Sequence, residues 1–261
     1  MIKRRTTRLE FRGALGATLV GRLERPAGEP VAFALFAHCF TCSKDLKAVG
    51  GISRTMAGQG YAVFRFDFTG LGESAGDFGE TDFSSNLDDL VAAADFLRRE
   101  FRAPRLLVGH SLGGAAVLAA ARQVPECTAV ATIAAPSDTE HLRDILVSRA
   151  PEIEAAGVAE VRIGGRSFRI RKRLLDDLAE AHVRNNLARL DRALLIMHSP
   201  EDSVVDVEHA RRLFEGARHP KSFVSLDGAD HLLNDERDAR FAGEVLAAWA
   251  RRYALRERRA R

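Results

Sequence analysis

A serine set between glycines, where an apolar strand runs into an alanine-rich helix, is the residue of this chain best placed to do chemistry. Gly109-His-Ser-Leu-Gly113 follows Leu106-Leu-Val108 directly, and helical spacing begins at Leu112. Alone, a Gly-x-Ser-x-Gly match recurs by chance, and the plain reading is a serine in a glycine-rich turn. The strand before it and the helix after it give the match its meaning. At such a junction the chain turns so tightly that side chains two residues either side of the serine would clash, and glycine relieves this. The turn lifts the Ser111 hydroxyl above the sheet. It also sets the Leu112 amide and the positive helix end beside any oxygen that gains negative charge. His110 adjoins the serine, but the turn directs its side chain away, towards a structural role.

A serine hydroxyl is a poor nucleophile near neutral pH and needs an imidazole base held by a carboxylate. The strand Leu194–Met197 ends in His198-Ser-Pro-Glu-Asp202, and the strand Phe223–Leu226 ends in Asp227-Gly-Ala-Asp-His231. Asp202 and His231 thus fall in loops just after strands, where parallel α/β proteins place their ligands. Asp206 is the rival acid, although alternation and the helix that follows suggest that it caps Val207–Phe214. Asp230 is expected to stabilise its loop. His209 and His219 are expected at the surface, and His141 and His182 fall between Pro136 and Leu190, either lining a pocket or exposed to solvent.

The second donor to a developing oxyanion should come from the loop after the strand Val31–Ala37, which reads His38-Cys-Phe-Thr-Cys-Ser-Lys. By position the Phe40 amide is that donor. Cys39 and Cys42 have the spacing of a redox pair, yet they lie where a hydrolase needs its oxyanion loop. A modulatory role for these thiols is expected instead, in which bond formation distorts the hole.

Strands and helices alternate to position these residues. Apolar runs at 31–37, 62–68, 105–109, 129–135, 193–197 and 223–226 read as strands. Helical patterns span 43–59, 86–99, 112–123 and 238–252. Strands buried on both faces and separated by helices imply a parallel sheet covered on both sides. Arg8–Phe11 and Thr18–Leu23, around Gly13 and Gly16, read as a hairpin adding antiparallel edge strands. About 55 residues from Pro136 to Leu190 exceed what one crossover helix needs. Gly164-Gly165 there marks a hairpin, followed by helix from Leu174 to Ala188. The segment reads as an insertion on a single domain spanning 1–261.

The composition excludes several classes. The 261 residues are 46% hydrophobic and 29% charged, with 39 basic against 36 acidic side chains and a net charge of +3. Such a chain can bury a sizeable core, and its charge is too small to imply a polyanionic partner. The basic end from Arg251 reads as a solvated helix terminus, so no nucleic acid is expected. Three cysteines are too few for a secreted disulfide framework. Neither a signal-peptide apolar stretch nor a membrane-length run occurs, which points to a cytoplasmic protein. Gly109–Gly114 lacks the Gly-Lys-Ser/Thr ending of a phosphate loop, and no His/Cys cluster has zinc-ligand spacing. No metal or other cofactor is expected.

In order and context, His38-Cys39-Phe40, Asp67-Phe-Thr-Gly-Leu-Gly-Glu-Ser74, Gly109-His-Ser-Leu-Gly113, Ser199-Pro-Glu-Asp202 and Gly228-Ala-Asp-His231 resemble the motif series of the α/β-hydrolase superfamily. The resemblance covers roughly residues 18–252. Within it, the His-Cys-Phe-Thr-Cys loop and Phe66-Asp-Phe-Thr-Gly-Leu-Gly72 most resemble bacterial hydrolases fused to an OsmC-like peroxide-reductase domain. The usual glycine after the first histidine is Cys39 here. The resemblance implies an α/β-hydrolase fold: a mostly parallel eight-stranded sheet, helices on both faces and a small lid insertion at about 138–190. It gives Asp67–Ser74 a structural role, and it argues against relatives with an aspartate nucleophile, because Ser111 stands in that place.

The sequence therefore predicts a serine hydrolase, carboxylesterase-like, acting on a small-molecule acyl substrate. Ser111, His231 and Asp202 form the triad, and Phe40 and Leu112 the oxyanion hole. Activity should fall towards acid as the base protonates. Thioesters and amides share this chemistry, so a thioesterase or aminopeptidase-type acyl hydrolase is an alternative. A non-catalytic binding protein on the same fold is another. Ile163, Phe168 and Ile170 either face the pocket or pack against the body.

Overall fold

The chain enters its central sheet from one edge. In the structure, a computed structural model describing residues 5–39, 42–163, 166–180 and 187–255, β1 (Arg5–Arg12) and β2 (Thr18–Arg25) pair antiparallel. β2 then pairs antiparallel with a central strand. Alternation follows: β3 (Ala32–Ala37), α1 (Lys47–Gly58), β4 (Tyr61–Phe66), α2 (Phe83–Glu100), β5 (Leu106–His110), α3 (Leu112–Ala120) and β6 (Ala129–Ile133). After β6 come α4 (Glu140–Arg149), α5 (Glu152–Ala156), β7 (Val158–Ile163), β8 (Arg166–Arg171) and α6 (Lys172–Glu180). β9 (Ala193–His198), α7 (Glu208–Gly216), β10 (Lys221–Ser225) and α8 (Glu236–Ala254) complete the described chain.

The eight-stranded sheet runs β1-β2-β4-β3-β5-β6-β9-β10, and every pairing from β4 to β10 is parallel. Every residue of β3, β4, β5, β6 and β9 is buried. The two-residue period of a strand then splits each one between two layers. Phe33 and Leu35 of β3 join a core with α2 and α3, whereas Ala32, Ala34 and Phe36 join another with α1 and α8.

Between β6 and β9 the hairpin β7–β8 forms its own two-stranded sheet. Its expected Gly164-Gly165 turn lies outside the described residues. This segment is fastened to the body. Ile170, Leu174 and Leu178 are buried in the core shared with α2 and α3, and the Phe168 ring meets Phe78 edge-on at 5.5 Å. The Ser84 amide and hydroxyl both donate to the Asp177 carboxylate, at 2.7 Å each. Helix α2 begins three residues before the sequence pattern suggests, at Phe83. Asp82 caps it, accepting from the Ser85 amide while Ser85 Oγ accepts from the Asp82 amide.

Candidate active site

The turn between β5 and α3 is set by what its glycines leave room for. A Cβ on Gly109 would lie 2.1 Å from the Gly113 carbonyl oxygen, and one on Gly113 would lie 2.4 Å from the carbonyl oxygens of Ala37 and His38. Ser111 itself takes φ 54° and ψ −126°, a conformation costly for a non-glycine residue. Two bonds hold it there: its amide donates to the Ile133 carbonyl at 2.9 Å, and its carbonyl accepts from the Gly114 amide at 2.8 Å. Leu112 opens α3, so its amide is among those that a helix leaves without an internal acceptor.

Ser111 Oγ lies 3.1 Å from His231 Nε2, and His231 Nδ1 lies 2.8 Å from Asp202 Oδ2. Residues 111, 202 and 231 thus come together from three separate loops at the carboxyl ends of parallel strands. The other Asp202 oxygen accepts from the Val204 and Val205 amides at 2.8 and 2.9 Å. Burial alone would raise the Asp202 pKa, but the bond to His231 and these two amides outweigh it and hold the carboxyl below its ordinary value. With one carboxylate oxygen committed to backbone amides, the other faces the imidazole in a fixed direction.

Two further histidines brace this pair. His110 Nε2 donates to the backbone carbonyl of His231, and burial, joined by His231 nearby, pushes its pKa down to about 4. His198 Nε2 donates to the Val205 carbonyl at 2.8 Å and lies 3.6 Å from Asp202 Oδ2. Burial lowers the His198 pKa as well, against the opposing pull of that carbonyl bond and of Asp202. Glu201 Oε2 ties the two loops together, accepting from the Gly228 amide at 3.0 Å and from Ser199 Oγ at 3.0 Å. His198 and Glu201 escaped the sequence reading. The signal available was their place at the end of a buried strand and beside the acid.

The loop after β3 is held from below by Asp67. Its carboxylate accepts from the Lys44 amide at 2.6 Å, from Lys44 Nζ at 2.7 Å and from the Glu73 amide at 2.9 Å. Lys44 is buried and also meets Glu73 at 2.7 Å. The structural role expected of Asp67–Ser74 takes this form. Cys39 and Cys42 are joined by a disulfide. Phe40, the expected second oxyanion donor, lies outside the described residues.

Asp206 Oδ1 accepts from the Glu208 amide at 2.7 Å and so caps α7 rather than meeting His231. Asp230 holds Asn234 through two bonds within its own loop. His219 is exposed. His209 is not at the surface: it is 8% exposed, and its Nδ1 accepts from the Ser137 amide at 3.1 Å. On α7 it falls on the same face as the buried Ala210 and Leu213, and helical geometry carries it inward with them. His141 Nε2 donates to the Val204 carbonyl at 2.9 Å, whereas His182 lies outside the described residues. Ile170 and Phe168 pack against the body, and Ile163 is partly buried against the same core.

A serine on a sharp strand-to-helix turn at the centre of a mostly parallel sheet, with an aspartate and a histidine supplied by later loops in that order, defines a class. The chain belongs to the α/β-hydrolase superfamily. The profile of the family described as serine aminopeptidase, S33, matches residues 42–148. The solved esterase domain of a Rhodothermus marinus protein is 50% identical, covers 96% of this chain and 99% of its own, and superposes with a TM-score of 0.78. Est1E of Butyrivibrio proteoclasticus, solved with ferulic acid, has the same fold at 18% identity and a TM-score of 0.80, covering 94% of this chain and 99% of its own. The uncharacterized protein YfhR of Salmonella typhimurium is 31% identical over 65% of this chain and 54% of its own length. The chain thus spans about half the length of that curated relative. Among the described residues, no helix is long and apolar enough to cross a membrane.

Proposed function

We propose that the protein is a serine hydrolase of carboxylic esters that works through an acyl-enzyme, with Ser111 as nucleophile, His231 as base and Asp202 as its orienting acid. The observation that carries this reading is the continuous path from the 111 hydroxyl through the 231 imidazole to the 202 carboxylate. Ser111 attacks the acyl carbon while His231 Nε2 takes its proton. Asp202 keeps the proton of the neutral ring on Nδ1 and stabilises the imidazolium that forms. The Leu112 and Phe40 amides receive the negative oxygen; one such donor is worth about 10²–10³ in rate. His231 then protonates the leaving alcohol, and a water activated by the same imidazole releases the acid.

The esterase domain, half identical along nearly the whole chain, favours an ester over other acyl bonds. The aminopeptidase profile ends at residue 148. It spans the Ser111 turn but not Asp202, His231 or most of the segment between β6 and β9, so it speaks to the nucleophile rather than to the substrate. The solved relative is itself described as an esterase domain, and a link to the hydrolase half of OsmC-like fusions rests on the motifs of this chain alone. The chain acts as one domain, and its segment at about 138–190 is the lid that selects small-molecule substrates.

A fluorophosphonate probe and a panel of p-nitrophenyl esters, run beside acyl thioesters and aminoacyl anilides, test the proposal. Labelling and ester turnover that both vanish in Ser111→Ala are expected. Turnover that survives the substitution, or a wild type inert to both reagents, removes it.

A further inference from the structure

Beneath the loop after β3 lies a small hollow between α2 and α3. Phe68, Leu71, Phe78, Phe83, Leu112 and Ala116 form apolar walls, and two polar side chains, His38 and Asn86, also line it. Both are more than nine-tenths buried, His38 at 1% and Asn86 at 7% exposure. Among the described residues, Asn86 Oδ1 and His38 Nε2 each lack a hydrogen-bond partner.

Both orphan atoms are acceptors. His38 Nδ1 lies 2.8 Å from the Cys39 carbonyl oxygen, so Nδ1 carries the proton and donates. Burial lowers the His38 pKa and keeps the ring neutral, which leaves a lone pair on Nε2. Asp67 Oδ1, 3.8 Å away, is itself an acceptor and cannot satisfy it. Two buried acceptors among phenylalanines are costly until a donor reaches them. The free space admits roughly one water-sized group.

We propose that this hollow is an acyl subsite that seats the hydroxyl of a short hydroxyacyl group, which donates to Asn86 Oδ1, with His38 Nε2 the other open acceptor of its lining. The subsite deepens the esterase reading and rests on it. Leu112 and Gly113, the two residues after the nucleophile, line the hollow. A substituent entering it therefore leaves an acyl carbon at Ser111 past the amide expected to hold the oxyanion. An alkyl group of equal size would enter and leave both acceptors unmet. A site built to bond a hydroxyl discriminates against the analogue lacking it far more strongly than an apolar pocket discriminates by size.

The test compares isosteric pairs of p-nitrophenyl esters: hydroxyacetate against propionate, and 3-hydroxypropionate against butyrate. Each kcat/KM is divided by the ester's rate with hydroxide, which removes intrinsic reactivity. A corrected preference for at least one hydroxyacyl ester of about tenfold is expected, corresponding to one buried hydrogen bond, and Asn86→Leu should collapse it. A ratio below threefold for both pairs in the wild type overturns the subsite and reassigns the hollow to a buried water. A ratio unmoved by Asn86→Leu overturns it equally. Should no ester turn over and Ser111 resist the fluorophosphonate, the hydrolase reading itself fails. Live turnover with a flat ratio removes the subsite alone.

Discussion

His110 Nε2 and the main-chain carbonyl of His231 stand 2.7 Å apart. The residue before the proposed nucleophile therefore grips the backbone of the proposed base, so serine and imidazole are held to one another by the same short turn. His110→Phe keeps the ring volume and loses the donor. We expect kcat to fall about tenfold with little change in KM, as positioning errors do. Steady-state kinetics on a p-nitrophenyl ester would show this, and a change confined to KM would contradict it.

Burial of neutral histidines also shapes the response to acid. His110 has its pKa pushed down to about 4, and His38, His198 and His209 shift the same way through burial. The unfolded chain therefore binds these protons first, near the ordinary imidazole value of 6.5. Stability is fully present above that value and declines as pH falls towards 4, each histidine adding up to about 1.4 kcal/mol per pH unit. Urea unfolding at pH 7 and pH 5 should give a lower midpoint at pH 5, and His110→Gln should narrow the gap. Equal midpoints would refute the account.

The choice of acid is open to a direct comparison. Asp202→Asn would present the imidazole with a donor where it needs an acceptor, and turnover should drop by about 10⁴. Asp206 accepts from the Glu208 amide at the start of α7, so Asp206→Asn should stay within about threefold of the wild type. The reverse order would transfer the role.

Cys39 and Cys42 enclose Phe40 in a covalent ring, while the contacts among Ser111, His231 and Asp202 are complete beside it. Any redox effect must then act through the oxyanion loop and leave the proton relay intact. We expect oxidised glutathione, which takes two electrons and two protons from the thiol pair, to lower kcat. Dithiothreitol should restore it, and Cys42→Ser should respond to neither. A wild type indifferent to both reagents would remove the modulatory role.

The sequence exposed the Ser111 turn because backbone crowding dictates glycine at 109 and 113, and such demands are written in residue type. It exposed the sheet because β3, β4, β5, β6 and β9 are mainly apolar runs bounded by helical patterns. It misplaced His209 at the surface, since a lone histidine on a helix reads as polar until its neighbours Ala210 and Leu213 are seen to face inward. The placement of Phe168 and Ile170 was equally hidden. An alternating hairpin has two faces, and only the tertiary contact with Phe78 decides which one is covered. The orphan acceptors of His38 and Asn86, forty-eight positions apart in the chain, have no local signature at all.

Phe78 belongs to two structures at once: it walls the hollow beside α3 and receives the edge of Phe168 from the β7–β8 hairpin. Exchanging the aromatic at 168 for a smaller or larger one would shift that shared wall from outside. If the hollow is the proposed subsite, acyl preference can then drift through a residue outside its lining, while the strained turn at 111 is left untouched.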